Sequence, residues 1–198
     1  MRLKLAIVLA FLFVLGAQRE STLAQAADPA AALSGGWKLN MEASVNPNGP
    51  DGPGATVGRG GRSGQSIVGG GDLGKEELQR FNAHLAMFRK APPLLGIQAT
   101  ATNVILAYDP DPAKGPVYKY TTDNKKTVMT TPAGPLEVKV KWNGKVLHRE
   151  IESKESLKVV EEYTPSADGK QLVVTVETTN IMVRMDKVEI KRVYDRVQ

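Results

Sequence analysis

Leu136-Glu137-Val138-Lys139-Val140-Lys141-Trp142-Asn143-Gly144-Lys145-Val146-Leu147-His148-Arg149-Glu150-Ile151 is the stretch on which the fold turns. In an extended chain successive side chains point to opposite faces, so Leu136, Val138, Val140 and Trp142 share one face while Glu137, Lys139 and Lys141 take the other. Asn143-Gly144 offers the two positive-φ residues of a tight turn, and Leu147, Arg149 and Ile151 resume the pattern on a return strand. This is a hairpin with one apolar face.

The same alternation continues on both sides. Strands are expected at 96–100, 103–108, 117–121, 127–131, 157–164, 171–178, 181–185 and 187–196, with an earlier one around Trp37-Lys38-Leu39-Asn40. Asp123-Asn124 and Ala167-Asp168-Gly169 mark turns among them. The connections are too short for parallel crossovers, so about ten strands form an antiparallel meander. Open twisted sheets seldom exceed about ten strands without closing or splitting, and closure removes exposed edges. The expected fold is therefore all-β, an up-and-down antiparallel barrel favoured over a sandwich.

Ahead of the strands, Leu78, Phe81, Leu85 and Phe88 recur at helical spacing within residues 75–90. This predicts one amphipathic helix after the first strand, with Asp72 as its N-cap and Pro92-Pro93 as its stop. Between first strand and helix, residues 46–74 are dominated by Gly, Pro, Asn and Ser and read as a disordered loop. Residues 1–26 read as a signal peptide, with a basic start (Arg2, Lys4), an apolar run from Leu5 to Ala17 and small residues at Ala24-Gln25-Ala26. The expected organisation is a signal peptide over 1–26 and a single barrel domain over 27–198, exported to a bacterial envelope or secreted, with no membrane span after cleavage.

Composition bounds the chemistry. The chain has 198 residues, 41% hydrophobic and 24% charged, with 19 Gly, 12 Pro and a formal charge of +5. The absence of cysteine rules out thiolate catalysis, disulfides and cysteine-ligated metals, and two histidines cannot build a multi-histidine site in one chain. Loss of Arg2, Lys4, Arg19 and Glu20 with the signal peptide lowers the charge of +5 by two, and the remaining basic residues alternate with acidic ones, which argues against nucleic acid.

Motif matches lead nowhere catalytic. Gly69 to Gly74 satisfies G-x-G-x-x-G and Gly69 to Lys75 satisfies G-x-x-x-x-G-K, but no strand precedes them and Glu76 stands where a P-loop needs Ser or Thr. Asp109-Pro110-Asp111-Pro112 lacks the liganding pattern of a calcium loop. Neither Ser63 nor Ser66 completes G-x-S-x-G, and Glu150, Glu152, Glu161 and Glu162 are ordinary strand carboxylates. No cofactor is implied, and there is no signature of an enzyme.

Charge on the inner face is the informative feature. If Leu147 and Ile151 point inward, period two sends Arg149 with them; if Val188 and Ile190 do, so do Arg192 and Tyr194. An enclosed guanidinium needs an internal acid, for which Glu161 shares a face with Leu157, Val159 and Tyr163, or an anionic ligand held bidentately. Both alternatives stand at this point.

Several short motifs resemble the fatty-acid-binding type of intracellular lipid-binding protein, within the calycin superfamily that includes lipocalins. Gly35-Gly36-Trp37-Lys38-Leu39 is similar to its first strand, the helix occupies the place of its lid, Lys141-Trp142-Asn143-Gly144-Lys145 and Arg149-Glu150-Ile151 resemble a central hairpin, and Arg192-Val193-Tyr194-Asp195-Arg196 resembles its closing strand. Trp37 to Asn40 and Tyr163 to Leu172 also resemble uncharacterised exported bacterial proteins of lipocalin-like appearance. The resemblance implies that Arg149, Arg192 and Tyr194 hold a fatty-acid carboxylate inside the barrel.

The expected function is non-enzymatic binding of a fatty-acid-like small molecule. Its acidic head would rest on Arg192, Tyr194 and Arg149, and its tail among Leu136, Val138, Val140, Trp142, Leu172, Val174 and Val176. The alternative is a filled barrel serving as an envelope interaction module, with an enzymatic role third.

Overall fold

The computed structural model describes residues 28–49, 74–109, 111, 114–180 and 185–197. The expected signal peptide over 1–26 and almost all of the Gly-rich loop, including Asp72 and both glycine motifs apart from Gly74 and Lys75, lie outside the described residues.

Ten strands form one antiparallel sheet. They are β1 (Gly35–Val45), β2 (Leu94–Ala99), β3 (Asn103–Ala107), β4 (Val117–Thr121), β5 (Thr127–Thr131), β6 (Gly134–Asn143), β7 (Val146–Glu152), β8 (Leu157–Pro165), β9 (Gln171–Asn180) and β10 (Met185–Val197). Strand order runs β4-β3-β2-β1-β10-β9-β8-β7-β6-β5, so each strand neighbours its successor except β4, which does not neighbour β5. First and last strands pair, Trp37 opposite Arg196 and Leu39 opposite Tyr194, which curls the meander into a barrel. β4 and β5 do not pair, leaving a seam crossed at one end by the Asp123–Lys141 bridge and the Asn124 N–H bond to Val140 O. The result is a nearly closed barrel. Of the expected strand at 181–185, Met185 begins β10 and the rest lies outside the described residues.

The β6–β7 hairpin pairs as expected, with one change in its turn. Asn143 ends β6 opposite Val146, so Gly144 and Lys145 are the central residues, and of these only Gly144 has positive φ (61°). Asn143 is not positive as the motif suggested; glycine at the first central position fits the II′ turn, whose twist also matches the strands.

Among the described residues, two helices accompany the sheet. A short α1 (Pro29–Leu33), capped by Asp28, precedes β1 and places Leu33 under Trp37, whose indole N–H donates to Leu33 O. The amphipathic α2 (Lys75–Arg89) starts after Gly74, whose N–H donates to the Glu77 carboxylate, so the cap falls at Gly74 and not at Asp72. Its Phe81, Leu85 and Phe88 join the same apolar cluster as Trp37, Val138 and Tyr194. Burying each such side chain contributes about 1.5–3 kcal/mol, so helix and barrel share one core.

A bulge in β1 prepares the site. Pairing with β10 shifts between Asn40 and Val45; within the bulge Asn40 Oδ1 accepts from Ala43 N–H, and the Ser44 hydroxyl accepts from Val193 N–H. The extra residues carry the chain inward, so Pro47 is buried beside β10.

Candidate functional site

Period two turns Arg149 of β7 inward between Leu147 and Ile151, and its exposure is 0%. Glu161 stands directly opposite on β8 and accepts from Arg149 Nη1 at 2.9 Å. The same nitrogen donates to the Tyr108 hydroxyl at 2.8 Å, while Nη2 donates to the Tyr120 hydroxyl at 2.9 Å and approaches Met129 Sδ at 3.2 Å. Tyr163 donates to Glu161 at 2.7 Å, and the Tyr118 and Tyr120 rings lie 5.5 and 5.1 Å from the guanidinium carbon. Four of the five tyrosines in the chain thus surround one ion pair.

The electrostatics follow from enclosure. Burial disfavours the Arg149 cation, but Tyr108, Glu161 and Tyr120 together hold its pKa well above the ordinary arginine value. Burial pushes the phenols of Tyr108, Tyr120 and Tyr163 up, Arg149 only partly offsetting this, so all three remain protonated at neutral pH. Having accepted from Arg149, Tyr120 turns its own proton to Met129 Sδ.

Arg192, on β10, is also inside, 4% exposed, but has no carboxylate within ion-pair distance among the described residues. Its Nε donates to Pro47 O at 2.9 Å and its Nη2 to Phe88 O at 2.6 Å. Two buried cations therefore face one buried anion, and the enclosed cluster carries a net positive charge. Arg149, Glu161 and Arg192 line one void of about 10 Å³ beneath the last turn of α2, room for at most a single water.

Outside this void, at the seam, opens a cleft of about 950 Å³ between α2, β4 and β5. That is at the upper end of the roughly 300–1,000 Å³ of ligand pockets. Tyr108, Tyr118, Met87, Met129, Lys90 and Pro92 line both cleft and void, so the first leads to the second. Lys114, paired with Asp111, and Lys119 line the same cleft together with Asp109.

Of the residues named from sequence, Arg149 and Arg192 come together at the same void. Tyr194 is buried two residues along β10 but lines neither void nor cleft. Trp142 is half-buried at the far end of β6, donating its indole N–H to Thr100 O. Leu136, Val138, Val140, Leu172, Val174 and Val176 are packed in the core. The sequence reading does not name Tyr108, just past β3, or Tyr118 and Tyr120 on β4 as site residues, although Tyr118 and Tyr120 fall on one face by the same period-two rule.

This architecture, ten antiparallel strands curled until first meets last with a helix packed into the same core, is a barrel whose fold resembles that of fatty-acid-binding proteins. Neither a protein-family model nor a curated protein sequence matches the chain. Among solved structures, a mutant of a REP1-NXSQ fatty acid transporter is similar with a TM-score of 0.50 and 14% identity, over 85% of this chain and 100% of that one. Secretory abundant heat soluble protein 4 from Ramazzottius varieornatus is similar with a TM-score of 0.50 and 11% identity, over 84% of this chain and 96% of that one.

Proposed function

We propose that this protein is an exported, non-enzymatic binder of a small apolar molecule with an acidic head group, fatty-acid-like in character. The observation that carries the reading is the net positive charge enclosed where Arg149 and Arg192 meet Glu161, at the inner end of a cleft walled by Tyr118, Met87 and Met129. An anion there is attracted by the uncompensated guanidinium charge, an attraction that low dielectric strengthens and guanidinium geometry directs, while ring and thioether walls accept apolar surface. Tyr108 adds a phenol that stays protonated and can donate to an acid. A fatty acid transporter with the same fold supports the choice of ligand class. Export to a bacterial envelope rests on the basic-apolar-small pattern of residues 1–26.

The test is native mass spectrometry of protein isolated gently from its own source, before and after delipidation. A mass increment removed by organic solvent, and reduced in Arg192→Gln, is expected. No increment, with no displacement of a fluorescent fatty-acid probe, would exclude the binder.

One observation favours a second reading. Phe81, Leu85 and Phe88 pack into the barrel core, and the void beside the guanidinium groups is only about 10 Å³. A filled barrel acting as an envelope interaction module would look the same in its centre, and would leave the cleft empty of lipid.

A further inference from the structure

Both inward arginines are engaged within the chain, but by acceptors of different strength. Arg149 holds a carboxylate, that of Glu161, supported by the Tyr163 hydroxyl. Arg192 holds two neutral main-chain carbonyls, Pro47 O and Phe88 O. A hydrogen bond to an ionised acceptor is roughly twice as strong as one to a neutral acceptor. An incoming acid therefore displaces the carbonyls from Arg192 more readily than it displaces Glu161 from Arg149.

The displaced carbonyls are not idle. Phe88 O belongs to the last turn of α2, where carbonyls lack partners within the helix, and a cation there also complements the helix dipole. Pro47 belongs to the segment entering from the β1 bulge, and its neighbour Asn48 ties that segment to the helix exit by accepting from Ala91 N–H through Oδ1. Arg192 is thus the common fastening of two chain segments. Space makes the same demand: the void beside Arg192 holds about 10 Å³, and Met87, Phe88 and Lys90 form its wall on the helix side. Such a void admits about one water, and a carboxylate is larger. It reaches Arg192 from the cleft only if a wall of the void moves aside, on the helix side the turn that bears Met87, Phe88 and Lys90.

Building on the binding reading above, we propose that Arg192 alone receives the ligand's acid group, exchanging Phe88 O and Pro47 O for it, and that binding thereby releases the C-terminal turn of α2 while Glu161 retains Arg149. Ligand uptake and helix loosening are then one event. The device also excludes a second acid from the site, because Glu161 occupies the other guanidinium.

Hydrogen exchange read by mass spectrometry on the full chain, with and without saturating cis-parinaric acid, tests this. Amides of residues 88–91 should exchange about tenfold faster with the probe bound, those of residues 78–83 remaining unchanged. Arg192→Gln should show the fast exchange at 88–91 without probe and no further change with it. Glu161→Gln, which leaves Arg149 without its acid, should bind the probe about tenfold more tightly. Saturation of the wild type with unchanged or slower exchange at 88–91, or unchanged affinity in a folded Glu161→Gln, would overturn the exchange at Arg192 while leaving the binding reading intact. Absence of any probe-bound mass at saturating concentration would overturn the binding reading and this inference with it.

Discussion

Replacing Glu161 by Gln removes one charge from the barrel interior and changes almost nothing else in shape. Arg149 keeps its bonds to Tyr108 and Tyr120, at 2.8 and 2.9 Å, and Gln can still accept at the third position. What is lost is the one carboxylate that, among the described residues, pairs with a guanidinium of 0% exposure, with Arg192 close by as a second cation. Breaking a buried pair by removing one partner costs about 3–5 kcal/mol; the retained neutral acceptors place this case near about 3 kcal/mol. That is a large part of the roughly 5–15 kcal/mol by which domains are stable, and corresponds to a melting temperature lower by about 6–12 °C. The adjacent Glu162 supplies the control. It points outward to His148 with its side chain 47% exposed, so Glu162→Gln should change stability by less than about 0.5 kcal/mol. Urea unfolding, with midpoints compared at equal m-value, measures both variants. Equal midpoints for the two, or a cost below about 1 kcal/mol for Glu161→Gln, would refute the placement of an enclosed ion pair.

Gly35 has φ of 145°, and a Cβ there would lie 2.5 Å from Arg196 Nη1, which holds Ser34 O while the guanidinium stacks 4.2 Å over Trp37. Gly35→Ala should cost roughly 1–3 kcal/mol, seen as a lower urea midpoint, and an unchanged midpoint would show that the closure at β1–β10 tolerates the shift. Burial works to raise the pKa of Glu155, but hydrogen bonds from Arg80 and its own loop outweigh it and hold the carboxyl below the usual range. Its contribution is therefore complete above the unfolded value of about 4.3 and is lost as pH falls through the lower folded value; exchange protection of α2 should decline across that acid range in the wild type and lose this component in Glu155→Gln. At the seam, bonds from Lys125 and Thr121 lower the Asp123 carboxyl to about 2. A carbon-detected NMR titration should find it ionised at pH 3, and a midpoint near the free value of about 3.9 would mean that the bonds from Lys125 and Thr121 are not held in solution.

Alternation made the barrel and the inward Arg149 and Arg192 legible before any coordinates, because a face with Leu147 and Ile151 on it admits no other direction for the residue between them. Glu161 was legible as a partner for the same reason, being inward on the next strand. The acceptors of Arg192 were not. Main-chain carbonyls carry no side-chain signature, and Pro47 reaches β10 only because of the bulge between Asn40 and Val45. The seam was equally hidden: β4 and β5 alternate like paired strands, and it is the turn through Asn124, with φ of 61°, that diverts them. With the seam unseen, the tail of a ligand was expected among lumen residues such as Val138 and Val174, which are packed in the core, while the open volume lies beside Tyr118 and Met129.

The most direct test of an acid seated on Arg192 is the titration of carboxyl-¹³C oleate bound to the protein, followed by its carboxyl resonance. Contact with an enclosed guanidinium should keep the bound carboxylate ionised well below the pH at which unbound oleate protonates, and Arg192→Gln should abolish that depression. A bound resonance that titrates at the same pH in wild type and Arg192→Gln would place the head group elsewhere and contradict the account.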